Sequence, residues 1–294
     1  MIKRFLHCPR AVAGAVLALI LLSGAAFAPW LAPHDPYEQC LVNAFNPPSP
    51  EYPMGTDDFG RCTFSRILWG GRISLTAGIA TTLISAFIGV PLGLVAGFAG
   101  GKTDRLIMGI CDVFLAFPGL IIALAIAGIM GPGIVSIVAA LSSVGWMGYT
   151  RIVRSKVLAE REQEYIKAAK AMGVKKKRIR FRYLLPAVMP SVLILLGTGV
   201  GRNILATASL SFLGVGVRKP AAEWGSMLSA GKDYIYRSIY MTLFPGAAIM
   251  LSVLAFNTLG EGLREILDPK NQTESCRIRR EFFKNRNTVK AKRK

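Results

Sequence analysis

Long charge-free apolar runs dominate the chain: 11–33, 73–101, 113–150, 184–201 and 238–260. A helix needs about 20 apolar residues to cross the hydrocarbon of a bilayer, so each run is a candidate span. The run 113–150 is too long for one crossing, and Gly131-Pro132-Gly133 divides it, because proline between two glycines makes a turn. The pattern predicts an all-α polytopic membrane protein with six transmembrane helices. A short helix-forming segment lies between spans four and five.

Composition supports this reading through a positive mean hydropathy. Net charge, +19, then reports orientation. Lysines and arginines crowd cytoplasmic loops, and an inside N-terminus places 28 of the 36 in segments 1–10, 102–105, 151–182 and 264–294. The outer loops carry Arg61, Arg66, Arg72, Arg218, Lys219, Lys232 and Arg237, balanced by Asp35, Glu38, Glu51, Asp57, Asp58, Glu223 and Asp233. Both termini are therefore expected in the cytoplasm, with the chain in the inner membrane. No RNA- or DNA-reading motif accompanies the basic charge, so no nucleic-acid partner is expected.

The segment between spans four and five, residues 164–186, combines a small-faced helix, a glycine stop and a polybasic run. Ala168, Ala169 and Met172 fall at i, i+1 and i+4, and alanine lets a partner backbone approach without loss of helix propensity. Gly173 suits the left-handed residue that ends such a helix, and Pro186 is expected to interrupt the helix before it. Lys175, Lys176, Lys177, Arg178, Arg180 and Arg182 suit an anionic inner leaflet. The segment reads as a docking element.

Three motifs point elsewhere and are set aside. Lys3 and Arg4, an apolar run and Ala26-Phe27-Ala28 imitate a secretory signal, but Pro29 hinders cleavage and the run is long enough to remain a span. Residues 96–103, ending Gly100-Gly101-Lys102-Thr103, imitate a phosphate loop, but a transmembrane helix leads into them where a strand is required. Gly89, Gly93, Gly97 and Gly101 read instead as a small-residue ridge for close helix packing. Cys40 and Cys62 share an outer loop, yet nothing fixes a pairing geometry, so free thiols are expected. His7 and His34 fall on opposite sides of the membrane, which leaves no histidine pair for a metal and no catalytic triad.

The 164–186 segment resembles the EAA loop of ABC-importer permeases, whose coupling helix sits in a groove of the ATPase subunit. The match runs through Ala168, Ala169, Gly173, Leu185 and Pro186. Lys167 stands where the family usually has glutamate, with Glu164 one turn earlier, and Tyr183 stands where isoleucine is common. Gly55-Thr56-Asp57-Asp58-Phe59-Gly60-Arg61 with Ser65-Arg66 resembles the outer-loop signature of the dipeptide, oligopeptide and nickel permeases. Residues 209–217, then Glu223-Trp224-Gly225, Ala255-Phe256-Asn257 and Leu267-Asp268-Pro269, resemble the second, C-type, subunit of that group. Cys62 stands where the family commonly has aspartate.

The resemblance implies a non-catalytic permease. Its partners would be a homologous second permease, two ATP-binding subunits and an extracytoplasmic substrate-binding protein; ATP and Mg belong to the partners, and no cofactor to this chain. Residues 1–69 would form the first helix and outer loop, 70–268 the permease domain with its coupling loop at about 151–185, and 269–294 a basic cytoplasmic tail. A secondary carrier, a channel or a membrane scaffold are the other readings of a six-span chain. Arg202, with Asn203 beside it and Thr198 one turn earlier, is expected in the outer part of span five, either snorkelling to headgroups or lining the mouth of the pathway.

Overall fold

The computed structural model describes residues 5, 6, 8–217 and 220–267; Lys3, Arg4, His7, Arg218, Lys219, Asp268 and the basic tail with Cys276 lie outside the described residues. The architecture is all-α. Helices run α1 (Pro9–Ala26), α2 (Ala28–Leu31), α3 (Thr63–Ala99), α4 (Gly101–Leu115), α5 (Gly119–Met130), α6 (Ile134–Glu160), α7 (Glu164–Ala171), α8 (Lys176–Arg178), α9 (Leu185–Leu210), α10 (Trp224–Lys232) and α11 (Tyr240–Leu267). Among the described residues the nearest thing to a strand is an isolated antiparallel bridge between Thr56 and Cys62.

Four helical stretches are long and apolar enough to cross a membrane: α1, α3, the 40-residue stretch Lys176–Val215 and α11. A fifth is formed if α4 and α5 count as one broken span, bent by 84°. Helix breaks fall at Gly131-Pro132-Gly133, as the sequence predicts, and also at residues 116–118. The second break divides a stretch expected to be continuous from residue 113. Pro118 explains it, since proline lacks the amide hydrogen and disfavours helical backbone at Phe117.

The glycine ridge holds α3 against α6. A β-carbon on Gly89 would stand 2.3 Å from the Trp146 carbonyl, one on Gly93 2.7 Å from that of Thr150, and one on Gly97 2.8 Å from Val157 Cβ. Matched steps of four on both helices mean that they run parallel. The ridge ends at Gly97, because Gly101 has open space around it. Small residues seat the other helices too, with Gly14 against the backbone of Leu259, and Gly197 against Gly260. Where lipid removes the hydrophobic drive between helices, such approaches let dispersion forces hold the bundle.

Two ends of the bundle are chemically distinct. One carries residues 32–62 and α10, over a core of Leu75, Ile204, Trp224 and Phe256. The other carries residues 161–184, the basic loop, over Leu94, Val153, Val157, Ile166, Ile179, Leu184 and Val188.

Candidate functional site

The basic loop folds against the ends of α3, α6 and α9. In α7, Ile166 and Ala169 turn inward and are buried, while Glu164, Lys167, Ala168 and Met172 are exposed. The expectation that Ala168, Ala169 and Met172 share one face is thus corrected. At 100° per residue the buried stripe takes positions 166 and 169, and the free stripe takes 164, 168 and 172. Gly173 adopts φ +74°, with open space where a β-carbon would be. The Gly173 amide donates to the Lys170 carbonyl at 3.0 Å and the Val174 amide to that of Ala169 at 3.1 Å, the paired bonds of a Schellman stop.

Beyond this stop the chain rises as α8, a π-helical turn at Ile179–Leu184, and α9. Pro186, exposed in the first turn of α9, does not interrupt the helix, contrary to expectation. The wider π turn immediately before it relieves the clash that the ring would make with the preceding helical turn. Leu185 is half-buried beside the core under the loop.

Charges fix the loop further. Lys167 Nζ lies 3.7 Å from Glu162, both exposed. The Tyr165 hydroxyl donates to the Glu160 carboxylate. Burial first, and that carboxylate second, push the phenol up to about 12, so it stays a donor at neutral pH. Arg161 donates from Nη1 to the Gly97 carbonyl at 3.2 Å. Lys170 Nζ and the Arg180 guanidinium carbon lie 5.6 Å and 5.9 Å from the centre of the Phe98 ring. Sequence reading missed Phe98, because an aromatic residue at the end of an apolar run carries no distinguishing signal.

At the opposite end, two of the sequence motifs meet. Asp57 accepts from Arg61 Nε at 2.7 Å and faces Arg66 Nε at 3.4 Å. Arg66, buried, also donates to the Pro36 carbonyl at 2.9 Å. Gly60 is required, since a β-carbon there would stand 1.8 Å from the Cys40 carbonyl oxygen. Glu223 is fully buried and caps α10, accepting from the Gly225 and Ser226 amides at 2.9 Å and 2.8 Å. The Trp224 indole lies against Gly70 and Gly71 and donates to the Ile67 carbonyl at 2.9 Å. Cys40 is exposed and Cys62 buried, and both are free thiols in this structure.

The suggested pathway trio is not brought together. Thr198 packs against Gly260 of α11, and Asn203 donates to Thr82 Oγ1 of α3 at 2.8 Å. Arg202 alone is exposed. It sits about 39 Å along the stretch from Lys176 and about 20 Å before Val215, past the midpoint toward the end that carries α10.

Comparison with known proteins identifies the family. Residues 89–273 match the family described as binding-protein-dependent transport system inner membrane component. Residues 1–48 match the N-terminal TM domain of oligopeptide transport permease C. The chain is 42% identical over 269 residues to the glutathione transport system permease protein GsiD of Pectobacterium atrosepticum, covering 91% of this chain and 89% of that one. It is 39% identical over 274 residues to the di/tripeptide transport system permease protein DppC of Pseudomonas aeruginosa, covering 91% and 90%. A solved structure of the MetNI methionine ABC transporter in inward-facing conformations shares the fold, with a TM-score of 0.57 and 18% identity over 68% of this chain and 95% of that one. The chain therefore belongs to the binding-protein-dependent transport family as a C-type permease subunit of the dipeptide, oligopeptide and nickel group of ABC importers, a non-catalytic membrane component whose ATPase activity resides in partner subunits.

Proposed function

We propose that α7 is the coupling helix, and that Glu164, Lys167, Ala168 and Met172 form the surface it offers to an ATPase subunit. One observation carries this reading: a two-turn helix, anchored by Ile166 and Ala169 and stopped by Gly173, leaves its other face open at the basic end of the bundle. Ala168 sits in the middle of that face, where a small side chain permits close docking. Ala169 acts beneath it as an anchor.

Six spans complete the picture. Helix α6, with 27 residues, is about 40 Å long and so reaches across the hydrocarbon, although Ser142, Tyr149 and Thr150 lower its hydropathy. Those three residues are buried in the bundle. With α4 and α5 as one bent span, the count becomes six. The excess of lysine and arginine in the basic loop supports a cytoplasmic position for that end and for both termini. The opposite end, built on Asp57, Arg66 and Glu223, would then meet a substrate-binding protein. A second permease would line the remaining half of the pathway, two ATPase subunits would grip the coupling loops, and nucleotide-driven closure would rock the spans between inward-facing and outward-facing packings.

Relatives named for glutathione and for di- and tripeptides support a short peptide as cargo. Reconstitution of the chain with a second permease, two ATPase subunits and the binding protein tests this, with glutathione, a dipeptide and nickel offered separately. ATP-dependent uptake of a peptide is expected. Uptake of nickel alone overturns the cargo assignment, and uptake that ignores ATP overturns the coupling assignment in favour of a secondary carrier.

A further inference from the structure

The last turn of α3 is gripped from three directions. Arg161 comes from the end of α6, Lys170 from α7 and Arg180 from the π turn that leads into α9. The three cations are separated in sequence, yet all meet Gly97 and Phe98 at the C-terminal end of one helix. That end carries the negative pole of the helix dipole and carbonyls without intrahelical partners, so cations are favoured there. The face of an aromatic ring adds a second negative surface. Arg180 Nε is buried and has no hydrogen-bond partner. The guanidinium faces the Phe98 ring instead, 5.9 Å from its centre.

We propose that Phe98 is the positioning residue through which displacement of α7 reaches α3. This rests on the coupling reading above and adds the point of transfer. Helix α3 suits the task because its 37 residues form one element about 55 Å long. Near its basic end it holds Phe98. Near its far end it holds Arg66, bonded to the Pro36 carbonyl, and Ser74, bonded to Glu223. One continuous helix, with Pro91 inside it, therefore joins the coupling loop to the elements that cap the bundle. The π turn gives the loop a place to shift: its extra residue per turn is a point at which helical register changes without breaking the helix. Lys170 and Arg180 stand on the two sides of the Gly173 stop, so a movement of α7 that kept only one of them on the ring would lose part of the grip. Holding both makes α7, the π turn and α3 move as one body.

An aliphatic residue at position 98 preserves the packing with Leu94 and Val157 but lacks the ring's negative face. That separates the proposal from a filler role. Spin labels at Leu83→Cys on α3 and Ala171→Cys on α7, with Cys40 and Cys276 changed to serine, report the distance between the two helices in the full complex. It is measured nucleotide-free and after trapping with ATP and vanadate. The distance is expected to stay constant on trapping in the parent and in Phe98→Trp, and to shift or broaden in Phe98→Leu. The double variant Lys170→Gln/Arg180→Gln keeps the ring and is expected to behave like Phe98→Leu, which covers the case in which Phe98→Leu does not assemble.

A constant distance in Phe98→Leu, or in the double variant, overturns the proposal, as does a distance that already changes in the parent. Capture of ATPase subunits by Ala168→Trp is the separate control. If that variant binds them normally, the coupling reading itself fails; if it does not, while Phe98→Leu behaves like the parent, only the transfer point is wrong.

Discussion

Ser74 Oγ donates to Glu223 Oε1 at 3.1 Å, joining α3 to the cap of α10 across 149 positions of sequence. The carboxylate accepts this bond and two backbone amides while fully buried. Removing the acceptor leaves those amides unpaired away from water. Glu223→Ala is therefore expected to cost about 1–3 kcal/mol, and Ser74→Ala about 1 kcal/mol, because a buried group without its partner bears the full desolvation cost. Thermal unfolding followed by size exclusion in detergent measures both, and the double variant should fall short of their sum.

Gly93 and Gly109 are both helical but differ in what surrounds them. A β-carbon on Gly93 would crowd the Thr150 carbonyl and Val153, whereas one on Gly109 meets nothing within 4 Å. Gly93→Ala is expected to destabilise by about 1–3 kcal/mol through overpacking. Gly109→Ala should be neutral or stabilising by up to about 1 kcal/mol through helix propensity. Equal effects in the same thermal assay would mean that the α3–α6 contact is not close.

Gly173 ends α7 in a conformation that costs a side-chain-bearing residue about 1 kcal/mol or more, with asparagine the best tolerated. Gly173→Val should uncouple ATP hydrolysis from transport while Gly173→Asn retains most of it. The measurement is peptide-stimulated ATPase activity of the reconstituted complex. Ala168→Trp and Ala169→Trp should differ in kind: the first blocks ATPase capture on a folded permease, and the second, at a buried position, lowers the yield of folded protein.

Arg202 is exposed between the midpoint of its helical stretch and Val215, where a cation facing lipid costs up to about 2.5–3.5 kcal/mol to insert. Such a residue persists where a polar cavity or partner meets it. Arg202→Gln is expected to lower peptide uptake with assembly and basal ATPase activity intact, and Arg202→Lys to retain more. Uptake equal to the parent in both variants would assign the guanidinium to headgroups.

Cys40 is exposed and Cys62 is buried at the same end of the bundle. An impermeant thiol reagent added to spheroplasts should modify Cys40 and spare Cys62 and Cys111. Modification of Cys40 only after the membrane is opened would invert the orientation.

Much of the fold is legible in the chain because lipid imposes a length rule and glycine leaves a spacing rule. The ridge predicted at 89, 93, 97 and 101 signals a close helix contact, and α3 makes it with α6 through the first three. Gly173 predicts its own backbone conformation. What remained hidden depends on neighbours distant in sequence. Glu223 is recognisable as part of a motif, but no spacing announces that Ser74 completes its bonding. Pro118 marks a break that hydropathy alone runs past, since the apolar residues on either side continue unchanged. Pro186 erred the other way, because a π turn lets the helix carry on where sequence rules end it.

The bend between α4 and α5 has a consequence for how the chain enters the bilayer. Fifteen and twelve residues give helices of about 22 Å and 18 Å, and neither reaches across about 30 Å of hydrocarbon. Residues 101–130 therefore make a weak stop for an insertion machine that tests helices one at a time. The buried side of α5, Ala123 and Ala127, finds its cover in Ile137, Ala140 and Leu141 of α6, which leave the ribosome later. Stable entry of this segment is expected to wait for α6, so in chains truncated before residue 134 a cysteine placed at Gly128 should react with an impermeant reagent from the cytoplasmic side, whereas in chains extended through residue 160 it should not.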